Sequence, residues 1–285
     1  MANGCHVRSI SLPSRSHPTT LKIQQQLNKL TTLEASSTSA LGKTSNGLSG
    51  LEELYNCMDE LLSLPSTQQA LSLHQHEKWV NELLDGPVSL LDICGTARDV
   101  ISQFKENVGD LESALRRRKG DVCIEISINN YISSRKKMNK DAKKLLAAMK
   151  KDNKSPLLDQ EHQLSTMITV FREVNIMSIS IFQSLLLLLS IPVLKSRPSR
   201  WSLVSKFMHK GAVSCEESAE NTELKSVDLA LGVLSSEEAK LETMQIALKG
   251  VEALEVSIEG LEKGLERMFR RLVKTRASLL NIISH

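Results

Sequence analysis

Apolar side chains recur every three or four residues along most of this chain, which is the spacing of one face of an α-helix. In the stripe that follows Pro87 they advance by alternating steps of four and three residues, as in helices that pack along a narrow heptad face. The members of this stripe are Leu90, Cys94, Ala97, Ile101, Phe104, Val108, Leu111 and Leu115. The pattern predicts an all-α protein whose long helices pack into a multi-helix bundle.

A second stripe follows Gly120 and is interrupted by Arg135. A glycine preceded by basic residues, as here, is typical of a helix C-terminus. Because only this glycine separates the two striped segments, we predict that their helices form an antiparallel hairpin. The apolar members of the second stripe are Ile124, Ile128, Tyr131, Met138, Ala142, Leu145 and Met149.

The longest stripe lies near the C-terminus and predicts a coiled-coil-like helix over residues 236–283. At about 1.5 Å per residue, this helix would measure roughly 72 Å. We therefore expect it to form the spine of the bundle, and either to project beyond the other helices or to kink. Its members are Leu241, Met244, Leu248, Val251, Leu254, Ile258, Leu261, Leu265, Met268, Leu272, Thr275 and Leu279.

Shorter patterned segments complete the bundle, and prolines or Gly-, Ser- and Thr-rich stretches separate them. Residues 36–50 are predicted to form a loop, and Asp85-Gly86-Pro87 is predicted to end the third helix. The predicted shorter helices cover residues 21–33, 51–64, 67–84, 157–190, 199–210 and 223–234, with an acidic linker over 211–222. Residues 1–18 are predicted to be a disordered tail, and residues 19–285 one helical bundle domain of seven or eight helices.

Composition supports a helical core. Apolar residues make up 41% of the chain but aromatic residues only 3%, so the core must consist mainly of aliphatic side chains, which suit helix–helix contacts better than sheets. The five cysteines are far apart in the sequence and match no zinc or CxxC pattern. We expect them to be reduced, buried thiols in a cytosolic type of compartment.

Charge is divided unevenly along the chain. Residues 1–210 carry a formal charge of +7 and residues 211–285 carry −4. The two parts can attract each other or an oligomeric partner. The interpretation we favour is that they are solvated helix faces of different composition.

One segment is long and apolar enough to raise the question of a membrane. Residues 174–194 contain no charged residue and could cross a bilayer, with basic side chains following as on a cytoplasmic flank. Several serines, a glutamine and Pro192 interrupt the segment. We predict a buried central helix, and the alternative is a membrane anchor formed by residues 176–194.

The sequence lacks the motifs of phosphate loops, dinucleotide folds, zinc peptidases and nucleophile elbows. His74 and His76 lie two residues apart, so on a helix they would point to different faces and would suit a metal poorly. The basic runs 116–119 and 135–154 could contact phosphates, but aromatic stacking partners are scarce, which argues against nucleic-acid binding. We predict a non-enzymatic protein with no cofactor, no metal site and no nucleic-acid partner.

The tail contains one complete short motif. Residues 8–13 have the form RSxSxP, defined by Arg8, Ser9, Ser11 and Pro13. Phosphorylation of Ser11 would add a charge of about −1.5 to −2, which an Arg-lined groove can bind. We predict a phosphoserine ligand of 14-3-3 proteins, and the alternative is an unmodified solubilising tail.

Four blocks of the sequence, in the same order, resemble the plant Bypass-related family. They are HVRSISLPSRSHP, LLDICGTARDV with ESALRRRKGD, YISSRKKMNKDAKKLL, and LEKGLERMFRRLVKTRASLLNIISH. The resemblance runs from about residue 6 to residue 285 and implies a land-plant protein with an all-helical fold. It also implies a link to root and shoot development through control of a mobile growth-inhibiting signal. It implies no catalytic residues, and members of the family occur in the cytosol, endomembranes and plastids.

The function hypothesis is a non-enzymatic scaffold or adaptor in plant developmental or stress signalling, regulated through its N-terminal tail. We expect protein partners, with 14-3-3 proteins among them, while a membrane and a second copy of the chain stay open as partners. We expect a cytoplasmic location, with endomembranes or plastids as alternatives. The plastid alternative fits the basic, Ser- and Thr-rich segment that precedes Glu34, the first acidic residue. The alternative function is a membrane-associated protein anchored by residues 176–194.

Overall fold

The computed structural model describes residues 17–34, 39–117, 121–152, 164–193, 223–234 and 241–284. Over these ranges the chain forms eight α-helices and no strand, as the apolar pattern predicts. The helices are α1 (Pro18–Glu34), α2 (Ala40–Leu62), α3 (Pro65–Leu73), α4 (Lys78–Arg116), α5 (Asp121–Asp152), α6 (Leu164–Leu189), α7 (Glu223–Leu234) and α8 (Leu241–Ser284). The predicted helix 199–210 and linker 211–222 lie outside the described residues.

Helix α8 is the spine of the bundle, and its 44 residues measure roughly 66 Å at 1.5 Å per residue. Ion pairs show the direction in which its two main neighbours run. Helix α4 runs antiparallel to α8, since the residue numbers of the paired side chains rise along α4 as they fall along α8. The pairs are Arg98–Glu266 at 2.8 Å, Lys105–Glu262 at 2.7 Å and Arg116–Glu252 at 3.0 Å. Helix α2 runs parallel to α8, through Glu52–Arg267 at 2.7 Å and Asp59–Lys274 at 2.9 Å.

Helices α4 and α5 form the antiparallel hairpin that the sequence predicts. Lys137 of α5 donates a hydrogen bond to Gln103 of α4, and Asn107 lies 3.4 Å from Ser134. The stripe of α4 from Leu90 to Leu115 is buried throughout. Two apolar stripes that face each other therefore close one side of the core.

The stripe of α8 is buried from Val251 to Leu279, whereas Met244 and Leu248 near its N-terminus are only half-buried. Its one polar member, Thr275, is buried and donates a hydrogen bond to Asp59 Oδ1 at 3.1 Å. Side chains from all eight helices contribute to one contiguous apolar core. The heptad pattern therefore identified the inner face of the spine correctly over most of its length.

The predicted loop over residues 36–50 is wrong from residue 40 onward, because α2 begins at Ala40. The Ser39 hydroxyl accepts a hydrogen bond from the Gly42 amide at 3.1 Å and caps the helix. Leu41 and Leu48 are buried in the core. Their burial outweighs the low helix propensity of the glycines in this segment.

The third predicted helix, residues 67–84, is also wrong. Helix α3 ends at Leu73, and α4 begins at Lys78 and continues through Pro87. A proline inside a helix costs about 3 kcal/mol, but Trp79 and Val80 before it and Leu90 after it are all buried. Each buried side chain of this size contributes roughly 1.5–3 kcal/mol. A continuous helix that buries the side chains before and after Pro87 is therefore favoured.

Candidate functional site

The phosphoserine motif lies outside the described residues. Arg8, Ser9, Ser11 and Pro13 all precede residue 17, at which the described part of the chain begins. The predicted 14-3-3 ligand therefore stays a prediction from the sequence.

The described histidine and cysteine side chains form no metal-binding cluster. The His74 ring nitrogen Nδ1 contacts Glu77 at 3.1 Å in the turn between α3 and α4, and the described residues contain no cluster suited to a metal. The Cys94 thiol donates a hydrogen bond to the Leu265 carbonyl at 3.3 Å, and burial raises its pKa to about 12. Cys123 is exposed, contrary to the expectation of buried thiols, because this part of α5 faces solvent.

Arg135 has a role that its position in a basic run did not suggest. The side chain is fully buried rather than solvated. Its Nη2 donates to Asp228 Oδ2 of α7 at 3.2 Å and to the Ile191 carbonyl, just beyond α6, at 3.3 Å. The Tyr131 hydroxyl donates to Asp228 Oδ1 at 2.8 Å. Arg135 therefore joins α5, α7 and the end of α6.

Sequence reasoning did not identify Asp228, although a signal was present. Asp228 lies on the apolar face of α7, next to the buried residues Val227 and Leu231. Arg135 similarly interrupts the apolar stripe of α5. Two opposite charges that each interrupt an apolar stripe indicate a buried ion pair, since an unpaired buried charge is strongly unfavourable. Burial, with the charge of Asp228, also raises the pKa of Tyr131 well above its usual value.

Residues 174–189 of the apolar segment form the C-terminal part of α6, which is buried on one side. Ile181, Phe182, Leu185, Leu186, Leu188 and Leu189 are buried, whereas Ile176 and Leu187 are each 59% exposed. Ser178 is buried, and its hydroxyl donates to the Val174 carbonyl at 2.7 Å. Among the described helices, the stretch Thr166–Leu189 alone is long and apolar enough to cross a membrane by length and composition.

A groove of 920 Å³ lies between α4 and α6 and is called here the α4–α6 groove. Its walls are the stretches 79–93 of α4 and 168–183 of α6. Tyr55 and Met58 of α2, Met149 of α5, and Thr275 and Leu279 of α8 complete the lining. Five helices that are distant in sequence therefore build this site, and no single segment shows it.

The lining of the α4–α6 groove is mostly apolar, and it is rich in aromatic side chains for a chain with so few. Tyr55, Trp79 and Phe171 all face it and are buried. Burial raises the pKa of Tyr55 to about 12, so this hydroxyl stays protonated at neutral pH. Apolar and aromatic surface of this kind buries the body of a ligand.

A few charged side chains line the same groove, namely Glu82 and Asp85 of α4 and Arg172 of α6. The Glu82 atom Oε1 is shielded from solvent and accepts no hydrogen bond from a described residue. Lys78 Nζ forms an ion pair with this oxygen at 3.8 Å. A concave apolar surface with a few polar groups has the character of a site that binds and orients a ligand.

Comparison with known proteins gives one match. A protein-family model described as Protein BPS1 matches residues 47–282. No curated protein and no solved structure matches the chain. The matched region contains every residue that lines the α4–α6 groove, as well as Tyr131, Arg135 and Asp228.

Proposed function

The chain belongs to the Protein BPS1 family, the Bypass-related plant family that its sequence resembles, and from that premise we propose that it is a non-enzymatic scaffold or adaptor in developmental or stress signalling. It acts by binding other molecules in the cytoplasm. Root and shoot development are the processes in which we expect it to act. The α4–α6 groove is the binding centre of this proposal.

The observation that carries the proposal is the character of that groove. It has the 300–1,000 Å³ size of ligand sites in proteins, at 920 Å³. Three of the chain's few aromatic residues are concentrated there, and aromatic side chains are enriched where proteins recognise partners. Side chains of five packed helices form the groove.

The test is affinity purification from plant tissue with three forms of the full-length protein. Ser89 is exposed and lines the groove, so Ser89→Trp should block the groove with little effect on folding. Asn81 is exposed on the same helix but does not line the groove, so Asn81→Trp is the matched control. We expect a set of partners that the wild type and Asn81→Trp recover and Ser89→Trp loses. Identical recoveries from all three forms would contradict the proposal.

Regulation by 14-3-3 proteins is a further part of the proposal and rests on the complete RSxSxP motif at residues 8–13. A phosphate on Ser11 is a charge-assisted ligand for an arginine cluster. The test is recovery of 14-3-3 proteins on a phosphorylated peptide of residues 8–18 beside its unphosphorylated twin. We expect recovery on the phosphopeptide alone, and loss of binding by full-length Ser11→Ala. Equal recovery on both peptides would remove the motif from the proposal.

A membrane-associated protein anchored by residues 176–194 is the second candidate. The observation in its favour is that Thr166–Leu189 has the length and composition of a membrane span. Against it, α6 buries Phe182, Leu185 and Leu186 among the other helices. To enter a bilayer, α6 would have to leave these contacts.

A further inference from the structure

The outer surface of α5 carries a concentrated group of lysines. Five lysines within nine residues are all exposed, namely Lys136, Lys137, Lys140, Lys143 and Lys144. Between residues 126 and 151 the helix has a single acidic side chain, Asp141. This side chain is only 23% exposed and pairs with Lys144 at 3.1 Å. This stretch of surface therefore has a strong positive charge.

Three of these lysines form a row along the outside of the helix. Residues three and four apart are neighbours on a helix surface, so Lys136, Lys140 and Lys143 lie in a row roughly 10 Å long at 1.5 Å per residue. We call this row the α5 lysine face. Met138 and Ala142, on the opposite side of the helix, are buried, so the α5 lysine face points away from the core.

Other helices of the bundle neutralise their basic side chains. The two in α1 and the four in α4 all form ion pairs. Within the described part of the chain, Lys144 is the only member of the α5 group that forms one. Like charges three and four residues apart repel each other and destabilise a helix. An anionic partner at the α5 lysine face would relieve this repulsion.

The chemistry of the α5 lysine face favours a fluid anionic surface over a partner whose charges are fixed in position. A lysine ammonium is a point charge on a flexible stem, whereas arginine has the planar fork with which proteins bind individual phosphates. The one aromatic residue of α5, Tyr131, is buried, so nucleic-acid bases would find no ring to stack on. Lipid headgroups move laterally within a leaflet, so their charges gather beneath lysines in any arrangement.

We propose that the α5 lysine face binds the anionic headgroups of a membrane and holds the folded bundle reversibly on the surface of the cytoplasmic leaflet. Each basic side chain close to such a surface increases binding roughly fivefold, so the three lysines together contribute roughly 100-fold. Helix α6 stays packed in the bundle, which separates this surface contact from an anchor formed by residues 176–194. The inference goes beyond the proposed function and does not depend on the α4–α6 groove.

The test is flotation of lipid vesicles with the purified full-length protein at low salt. One set of vesicles is phosphatidylcholine alone, and the other contains about one-third phosphatidylserine, whose headgroup is anionic. We expect the wild type to float only with the anionic vesicles. Sodium chloride at about 0.5 M should release it, because salt screens exposed charges.

Two triple variants examine the role of the lysines. Lys136→Gln with Lys140→Gln and Lys143→Gln should bind the anionic vesicles roughly 100-fold more weakly. Lys136→Arg with Lys140→Arg and Lys143→Arg keeps the charge and should bind as the wild type does. Since the glutamine variant loses charges that repel one another, its thermal melt should show a protein at least as stable as the wild type.

The matched control removes three positive charges from exposed positions of α8, by Lys249→Gln, Lys263→Gln and Arg276→Gln. It should bind the anionic vesicles as the wild type does. The proposal is overturned by equal binding to both kinds of vesicle, by no binding to either, or by equal losses in the two glutamine variants. Tighter binding of polyuridine RNA or polyglutamate than of anionic vesicles would also overturn it. None of these outcomes depends on the plant partners that Ser89→Trp tests.

Discussion

A buried ion pair joins α7 to α5. The side chains of Arg135 and Asp228 have no exposed surface, and the Arg135 atom Nη1 has no hydrogen-bond partner among the described residues. Taking two charges out of water is costly, and only close mutual contact makes it tolerable. The net contribution of the pair to stability is therefore smaller than its close geometry suggests.

Asp228→Ala should lower the free energy of unfolding by about 3–5 kcal/mol, because it leaves the Arg135 charge buried and unpaired. The double variant Arg135→Met with Asp228→Leu should recover much of that loss, since apolar side chains of similar size need no partner. Urea denaturation of the three proteins measures both effects. A double variant no more stable than Asp228→Ala would show that the pair itself, rather than the unpaired charge, carries the energy.

The two tyrosines of the chain make stability sensitive to alkaline pH. Burial raises the pKa of Tyr55 to about 12 and that of Tyr131 well above its ordinary value, whereas in the unfolded chain both lie near 10. A raised folded-state pKa means that their stabilising effect is complete below about pH 10 and is lost as pH rises through the folded-state values. Between about pH 10 and 12, each tyrosine should reduce stability by up to about 1.4 kcal/mol per pH unit.

The check is a titration that follows phenolate absorbance and helical circular dichroism together. We expect no phenolate signal until the helices unfold, so the two curves should coincide. A phenolate signal near pH 10 from a protein that keeps its helical spectrum would show that at least one tyrosine is accessible.

Helix α2 shows why glycines in a helix can be favourable. A Cβ on Gly50 would collide with Leu30 Cδ2 of α1, and one on Gly264 of α8 would lie 3.2 Å from Leu48 Cβ. Both glycines let the backbones of neighbouring helices come closer than a side chain permits. Each glycine makes the helix less stable than alanine would, by about 1 kcal/mol. The apolar contact between the closely packed helices offsets this loss.

Gly50→Ala should therefore destabilise the protein by about 1–3 kcal/mol despite the higher helix propensity of alanine, because the added methyl group would collide with Leu30 Cδ2 and force this buried side chain to shift. Gly232 of α7 is the matched control, since a Cβ there meets nothing within 4 Å. Gly232→Ala should stabilise the protein by about 0.5–1 kcal/mol. Thermal melts compare the two, and equal shifts in the same direction would refute the close-approach argument.

At the scale of the whole molecule, ion pairs connect the two parts of the chain that differ in net charge. Basic side chains of α4 contact glutamates of α8 at three points, through Arg98, Lys105 and Arg116. Most of these side chains are partly exposed, so each pair contributes little energy. Ion pairs of the opposite sense, Glu52–Arg267 and Asp59–Lys274, join α2 to α8, so the net charges of the two parts of the chain do not by themselves decide the direction of these helices.

Positions 186 and 187 distinguish an α6 that lies in the helical bundle from an α6 that lies in a membrane. Leu186 is fully buried, and Leu187 is 59% exposed. If α6 belongs to the bundle in solution, Leu186→Asp should cost about 4 kcal/mol or more, because it buries an unpaired charge. Leu187→Asp should then melt and fractionate like the wild type.

Carbonate extraction of membranes from plant tissue and thermal melts of the purified proteins measure this prediction. We expect the wild type and Leu187→Asp to remain in the soluble fraction. Retention of the wild type on washed membranes together with release of Leu187→Asp would establish the anchor formed by residues 176–194.

The sequence by itself determined the fold class, the long helix α8 and the α4–α5 hairpin. It also determined which faces of these helices are buried. A heptad stripe is a local property, because residues three and four apart on a helix share a face whatever surrounds them. The periodicity was therefore sufficient to predict a helix and its buried face where the helix is long and the apolar pattern is unbroken.

Only the tertiary structure decided where α2 and α4 begin, which charge pairs with Arg135, and where the groove lies. Local signals at Gly42 and Pro87 disfavour a helix, and burial of distant side chains overrides them. Asp228 lies 93 residues from Arg135, and the groove draws its lining from five helices. Such features depend on contacts between segments far apart in the chain, and a pattern read along one segment does not contain them.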